Sequence, residues 1–476
     1  MGVGICRIEV QPPPENPPAT QEENKGRKRG RRSKRNNNSK NASGDTSKLE
    51  YVIEEDTAEV LDKATDNEVK PVRKWVIFVP GTIPGETIEA RIFRNHKSYS
   101  DADLVSIVKP SLKHERIETV CPLASTECGG CQYQHMTIES QRNWKQQHVQ
   151  ELFERIADFD PDSFPAVMET VGTEHIYGYR SKLTPHYQRP NKDTGLIKDI
   201  GFQKKNARVL VDVPRCEIAT PAINGKLAEV RQEIFDAAES GTLKKTNKGA
   251  TLLFRDANEG VVTDNNQYVT TEVDDLTFRF LAGNFFQNNP YMLPVMTKHV
   301  VDVATENSDD GTEMTHLIDC YCGSGLFCLS SAKYFQLCAG IEINEKAIEE
   351  ASANAELNSV NNCAFVAASA EAIFDSKNKV KLSNDDEGVL VDDFPRESTV
   401  VIVDPPRKGC SEEFLDQLYK YSPQRVVYMS CDPATQARDA KGIVANGYDL
   451  VSTQPFDLFP QTRHIECLCV FEKREK

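Results

Sequence analysis

No apolar run in the 476-residue sequence approaches the roughly 20 residues that a membrane-spanning helix needs, so no membrane partner is expected. The amino terminus also lacks the apolar core of a secretory signal, because Pro and polar residues follow its first few positions. Overall positive charge is missing as well. A formal net charge of -15 excludes a generally cationic nucleic-acid coat, although it leaves room for a local basic groove. Thiols are plentiful: 14 cysteines without a signal fit an intracellular chain with free thiols and a metal site, nucleus, cytoplasm and mitochondrion staying open. Hydrophobic residues make up 39% of the chain, enough for sizeable cores, and the length suggests two or three domains.

In chain order, residues 1–48 read as a disordered tail whose basic run, Lys25 to Arg35, could meet RNA phosphates or serve as a nuclear address. Residues 49–115 change to short strand-like pieces, Trp75–Val79, Glu86–Ile92 and Ala102–Ile107, with turns at Pro80-Gly81 and Pro84-Gly85. This spacing suits a small oligonucleotide-binding barrel, with Arg91, Arg94, Lys97 and Tyr99 available to nucleic acid. A mixed central region, 116–280, opens with Cys121, Cys128 and Cys131, and Cys216 follows later. Two thiols separated by Gly129-Gly130 bracket a soft metal or an iron-sulfur centre, and the spacing leaves iron-sulfur, zinc and unbound thiols open. Residues 137–157 carry Trp144, His148, Val149, Leu152, Phe153 and Ile156 at helical spacing, a packed face set against the catalytic domain. Further on, Arg180 and Lys182 lie among tyrosines in a pattern suited to RNA contact, though ordinary surface strands look the same.

From 281 to 476 the pattern is α/β. Leu317 to Phe327 reads as strand, glycine-rich turn and helix start, containing Asp319, Tyr321, Gly323 and Gly325. About twenty residues later a second strand ends in Glu342, placed to take the two hydroxyls of a ribose. No third glycine arrives on schedule, so a nucleoside cofactor without pyrophosphate, S-adenosylmethionine, fits better than a dinucleotide. Glu371, after a further strand, is placed on the adenine side. Residues 376–397 form an acidic, solvent-exposed insertion. Two all-apolar runs then end in chemistry: Thr399–Val403 leads to Asp404-Pro405-Pro406-Arg407, and Val426–Met429 to Ser430-Cys431-Asp432-Pro433. Strands buried on both faces read this way, and ligands gather at their carboxyl ends. Cys431 is therefore a candidate nucleophile.

Four motifs in order carry a resemblance: Asn284 to Asn289 around Phe-Phe-Gln, Asp404 to Gly409, Ser430 to Thr435, and Asp457 to Glu466. Together they resemble the RNA uracil-5-methyltransferase family over roughly 50–474, most closely a tRNA-directed member of fungal type. The resemblance implies an amino-terminal TRAM barrel, a Rossmann-like carboxyl-terminal methyltransferase domain and S-adenosylmethionine as cofactor. It assigns the cofactor to Gln287, Asp319, Tyr321, Gly323, Gly325, Glu342, Glu371 and Asp404, the last also near the target base. Cys431 matches the family's nucleophile and Glu466 its proton-abstracting base. Cys121, Cys128, Cys131 and Cys216 resemble a [4Fe-4S] ligand set. Where the family usually has Asn, this chain has Asp432, a departure expected to alter a turn contact more than the reaction.

The chemistry agrees. Uracil C5 is a poor nucleophile until a thiolate adds at C6, and the C5 proton must later leave so that the thiolate is expelled. The expected partner is tRNA, with the T-loop uridine flipped into the site of a monomeric enzyme. Ribosomal RNA as substrate, cytosine-5 methylation and a non-catalytic tRNA-folding role are the alternatives.

Overall fold

The computed structural model describes residues 4–9 and 74–474, apart from 125, 192, 206, 244–248, 309–310, 374–378 and 381–388. The chain is a mixed α/β protein that divides into two compact units, Gly2–Arg116 and Ile117–Lys476.

The smaller unit holds four strands, β1 (Gly4–Glu9), β2 (Lys74–Val79), β3 (Thr87–Asn95) and β4 (Tyr99–Lys109), in the sheet order β1-β2-β4-β3. Ile77, Val79, Ile88 and Ala102 form its core. Gly81 and Gly85 take φ of 85° and 83° in the β2–β3 turn, as the Pro-Gly pairs suggested. Arg116 clasps the buried Glu86 carboxylate through Nε at 2.7 Å and Nη2 at 2.8 Å. Residues 4–9 correct the reading of the first 48 residues as disordered. They pair antiparallel with β2, and their β-branched isoleucines favour that role. The basic run lies outside the described residues.

The larger unit is organised by a seven-stranded sheet. Its strands are β5 (His316–Cys320), β6 (Leu337–Glu342), β7 (Cys363–Ala367), β8 (Thr399–Val403), β9 (Arg425–Ser430), β10 (Tyr448–Phe456) and β11 (Glu466–Lys473), in the order β7-β6-β5-β8-β9-β11-β10. The first five in space are parallel, and β11 runs antiparallel to both β9 and β10. Alternate residues feed two cores. Ile318, Val401, Val403, Val426 and Tyr428 enter one layer, and Leu317, Val400, Ile402, Val427 and Met429 the other. Burial on both faces is why these strands read as unbroken apolar runs.

Helix α1 (Ile138–Leu152) is capped by Thr137, whose side chain accepts from Ser140 N, and is continued by a π-helical turn at Phe153–Ala157. Its apolar face packs as expected through Val149, Leu152 and Phe153, but Ile156 is 38% exposed and the buried face extends to Gln141 and Lys145. The acidic segment 376–397 also needs correction at its carboxyl end, where Val391 and Phe394 pack into the core. Much of the rest of that segment lies outside the described residues. No helix among the described residues is long and apolar enough to cross a membrane.

Candidate active site

Three neighbouring strands deliver three side chains to one edge of the sheet. Val403, the last residue of β8, pairs with Tyr428 of β9, and Asp404 follows. Ser430, the last residue of β9, faces Cys467 of the antiparallel β11, so the next pair along the register is Cys431 and Glu466. A parallel strand ending and an antiparallel strand beginning thus bring the thiol and a carboxyl to the same edge.

The three groups influence one another. Burial pushes Glu466 up to about 8, the Asp404 charge adds to that, and Arg407 and Lys145 oppose it. Asp404 is raised to about 7 by burial. The Cys431 thiol is raised to about 11 by burial and by the charges of Glu466 and Asp404, while Arg407 lowers it through charge and a hydrogen bond. Without substrate, the Cys431 thiol and the Glu466 carboxyl favour their protonated forms near neutral pH, and Asp404 is divided between its two forms. Asp432 caps the helix Pro433–Ala445, its side chain accepting from Ala434 N at 3.2 Å. Asp and Asn are equally good caps, which accounts for the tolerated departure from the family's Asn. His464, two residues before Glu466, is lowered to about 4 by burial, and its ring packs edge-on against Phe459 with centroids 6.1 Å apart.

Beside this cluster lies the glycine turn after β5. Tyr321, Gly323 and Gly325 all have positive φ, at 150°, 53° and 89°. A Cβ on Gly325 would lie 3.1 Å from Leu329 Cδ1 and 3.3 Å from Ala351 Cβ, whereas one on Gly323 would meet nothing within 4 Å. Gly323 therefore borders open space at the turn. Asp319 is fully buried; its Oδ2 accepts from Cys328 N at 3.2 Å, its Oδ1 has no partner among the described residues, and burial raises it well above the usual carboxylate range. Glu342 ends β6 half-buried, with Oε1 accepting from Asn344 N at 2.9 Å. Glu371 is exposed and lies farther out on a short turn, where it accepts from Ser411 Oγ at 2.9 Å; hydrogen bonds, Ser369's first, lower its pKa.

Gln287 is half-buried in the Phe-Phe-Gln element, whose Phe286 stacks on Phe280 at 4.3 Å and whose Phe285 is 77% exposed. The residues that hold this element were not evident from the sequence. Arg255, only 1% exposed, donates to Asn288 Oδ1 and to Asn284 O, both at 2.9 Å. Glu350 accepts from Asn284 Nδ2 at 2.9 Å and from Ser324 Oγ at 2.8 Å, joining the Phe-Phe-Gln element to the glycine turn. Arg255 was signalled only by a charge directly after the apolar run Leu252 to Phe254, and Glu350, in a helix with several other charges, by nothing. Lys182, read as an RNA contact, is instead committed internally: its ammonium donates to Gly283 O at 2.8 Å and Asn284 O at 2.9 Å. Arg180 lies over the Phe459 ring at 5.6 Å.

The cysteine quartet is a separate feature of the same unit. Burial raises Cys131 to about 12 and Cys216 to about 11, and the neighbouring thiols of the quartet contribute to both. Burial raises Cys128 too, and Cys121 adds to it, so all four thiols are electrostatic neighbours. No three of the four sulfurs lie mutually within 4.8 Å, a spacing met among the described residues only by the core cysteines Cys328, Cys338 and Cys363.

A profile of the family described as tRNA (Uracil-5-)-methyltransferase matches residues 231–474. The tRNA (uracil(54)-C(5))-methyltransferase of Schizosaccharomyces pombe is 34% identical over 411 residues, covering 84% of this chain and 74% of that protein. Its Saccharomyces cerevisiae counterpart is 30% identical over 472 residues, covering 86% and 71%. The Pyrococcus abyssi tRNA (uracil-54, C5)-methyltransferase, solved with S-adenosyl-L-homocysteine, shares the fold with a TM-score of 0.59 at 21% identity, over 83% of this chain and 95% of that one. From its motifs, its sheet and these relatives, the chain belongs to the tRNA (uracil-5-)-methyltransferase family.

Proposed function

We propose that this protein methylates C5 of uridine 54 in tRNA, with S-adenosylmethionine as donor and Cys431 as nucleophile. The observation that carries the reading is the edge shared by Asp404, Cys431 and Glu466, beside a glycine turn whose neighbour Asp319 has an unpartnered buried oxygen. That oxygen and the open side of Gly323 suit the amino-acid end of the donor, Glu342 its ribose, and Gln287, Tyr321, Gly325 and Glu371 the remaining wall. When bound, the sulfonium supplies the methyl group.

Cys431, half-buried and so within reach of solvent, gives up its proton to water, favoured by Arg407, and its sulfur bonds to C6 of the flipped uracil, moving the C5–C6 electron pair towards C5 and O4. Asp404 lies near the ring. Once C5 carries both hydrogen and methyl, Glu466 takes the proton; the C5–H electrons restore the C5–C6 double bond, and the C6–S bond breaks to release the thiolate. Arg180 stacked on Phe459 offers a cationic aromatic wall to the entering loop, and the four-stranded unit would serve as a TRAM-like RNA grip. Cys121, Cys128, Cys131 and Cys216 would hold a [4Fe-4S] cluster. The enzyme would act as a monomer.

The test is methyl transfer to an unmodified tRNA transcript followed by nucleoside mapping. 5-Methyluridine at position 54, abolished by Cys431→Ala, is the expected result; methylated cytidine, or methylation elsewhere alone, contradicts the proposal.

A further inference from the structure

The strap from Asp457 to His464, which leads into Glu466, is fastened along its length. Asn289 Nδ2 donates to Leu458 O at 2.8 Å, Tyr179 Oη to Pro460 O at 2.8 Å, and Gln132 N and Tyr133 N to Gln461 O at 3.1 and 3.0 Å. Asp457 N donates to Val171 O at 2.7 Å and Arg463 N to Gln132 Oε1 at 3.2 Å, and further ties come from one face of α1. Gln141 Nε2 donates to Gln461 Oε1 and Gln461 N to Gln141 Oε1, both at 2.9 Å, which holds Gln461 at φ 69°. Lys145 Nζ donates to Asp457 Oδ1 at 2.5 Å and to Phe459 O at 3.4 Å. Both charges of this pair are fully buried, with Arg142 Nε a further 3.5 Å from Asp457 Oδ2. Helix α1 lies outside residues 231–474, the part matched by the family profile.

A fully buried ion pair is a poor device for stability alone, because an apolar pair of similar volume would often serve as well or better. The charge of Lys145 also reaches Glu466, and Asp457 supplies the first residue of the strap that delivers that carboxyl. We propose that Lys145 is a positioning residue for the proton-abstraction step: through Asp457 and Phe459 it fixes the strap, and its ammonium steadies the ionised form of Glu466. The inference rests on the roles proposed above for Cys431 and Glu466.

The groups that act on or respond to the Glu466 charge are Asp404 and Arg407 from the turn after β8, Cys431 after β9 and Lys145 from α1; His464, two residues before it, responds instead to Arg407, Arg463, Lys145 and Arg180. Without Lys145, only Arg407 opposes Asp404 and burial. Glu466 then holds its proton to higher pH, and the acid limb of kcat moves upward.

The full chain would be assayed as wild type, as Lys145→Met, as the charge-free pair Lys145→Met/Asp457→Leu and as Lys145→Arg. Two substrates are needed, ordinary tRNA and tRNA carrying 5-fluorouridine, whose C5 fluorine cannot leave as a proton does and so halts the reaction at the adduct. The expected result is adduct formation at the wild-type rate with turnover down by about 10- to 100-fold, part of what a general base contributes. KM for tRNA should stay constant, the acid limb should move to higher pH, covalent protein–tRNA should accumulate on the ordinary substrate, and Lys145→Arg should recover the limb. If adduct formation and turnover fall together with the limb unmoved, Lys145 is merely structural; if turnover is unchanged, it has no place in the step. Either outcome overturns the proposal, and the charge-free pair decides should Lys145→Met alone fail to fold. Absence of any adduct with the wild type would instead overturn the reading of Cys431.

Discussion

At the scale of single residues, the site gathers three acids, Asp404, Cys431 and Glu466, each raised by burial, and in the proposed mechanism two of them must ionise. The Glu466 carboxyl, raised to about 8, must be ionised to accept the C5 proton, so kcat should climb as pH passes through about 8. A pH–rate profile checks this, and a flat profile from pH 6 to 9 would contradict it. The same shift has a sign for stability. Between its ordinary value of 4.5 and about 8, the folded state keeps a proton that the unfolded chain loses, so this group makes the fold less stable as pH rises across that window. Glu466→Gln should remove that slope in denaturant titrations at several pH values, and it should leave the RNA covalently attached. Arg407 is the group that lowers the Cys431 thiol, so Arg407→Met should slow adduct formation most at neutral pH and be partly rescued at higher pH; equal slowing at every pH would contradict this. Cys431, Asp404 and Glu466 were legible in the sequence because each adjoins a strand end inside a recognisable motif. Lys145, Arg255 and Glu350 were not, since a charged residue on a helix or strand reads as solvent-facing until its partner is known. The partner of Lys145 lies 312 residues further along the chain.

At the scale of elements, the parallel strands could be read from unbroken runs such as Thr399–Val403, all five residues of which are buried. Helix α1 and most of its packed face were legible, Val149 and Phe153 being fully buried with Leu152 packed against the same core, whereas the adjoining Gln141 and Lys145 were not, because an amide and an ammonium are buried only through their bonds to the strap. The connection from β5 to the helix Leu326–Ser331 depends on glycine for two reasons at one position. Gly325 has a φ of 89°, and a Cβ there would crowd Leu329 and Ala351 at 3.1 and 3.3 Å. Gly325→Ala should therefore cost about 1–3 kcal/mol in stability from backbone strain, and it should weaken donor binding. Thermal unfolding together with titration of S-adenosylhomocysteine measures both. Unchanged values would mean that the turn relaxes at no cost.

At the scale of the whole molecule, the two units divide the work in the proposed account, a four-stranded unit for RNA grip and a larger unit for chemistry. The cysteine quartet lies in the larger unit, close to the strap: Gln132 and Tyr133, just past Cys131, donate to Gln461 O. In the proposed account a [4Fe-4S] cluster there would stiffen the strap through Gln132 and Tyr133. Iron and acid-labile sulfide analysis of anaerobically purified protein should find about four of each per chain, with Cys131→Ala losing both; zinc without sulfide would contradict the assignment. Domain organisation was only partly legible, because pattern in sequence marks strands and turns but not which strands share a sheet. Residues 4–9 show the difference: they join β2 across a gap of more than sixty residues. The central claim is that the Cys431 sulfur bonds to the uracil ring. It is tested most directly by incubating the protein with S-adenosylmethionine and tRNA bearing 5-fluorouridine at position 54, then mapping the product by peptide mass spectrometry. The account predicts a donor-dependent covalent adduct on the peptide holding Cys431, carrying a methylated base and absent from Cys431→Ala. Methylation of ordinary tRNA by Cys431→Ala, or an adduct mapped to another residue, would contradict it.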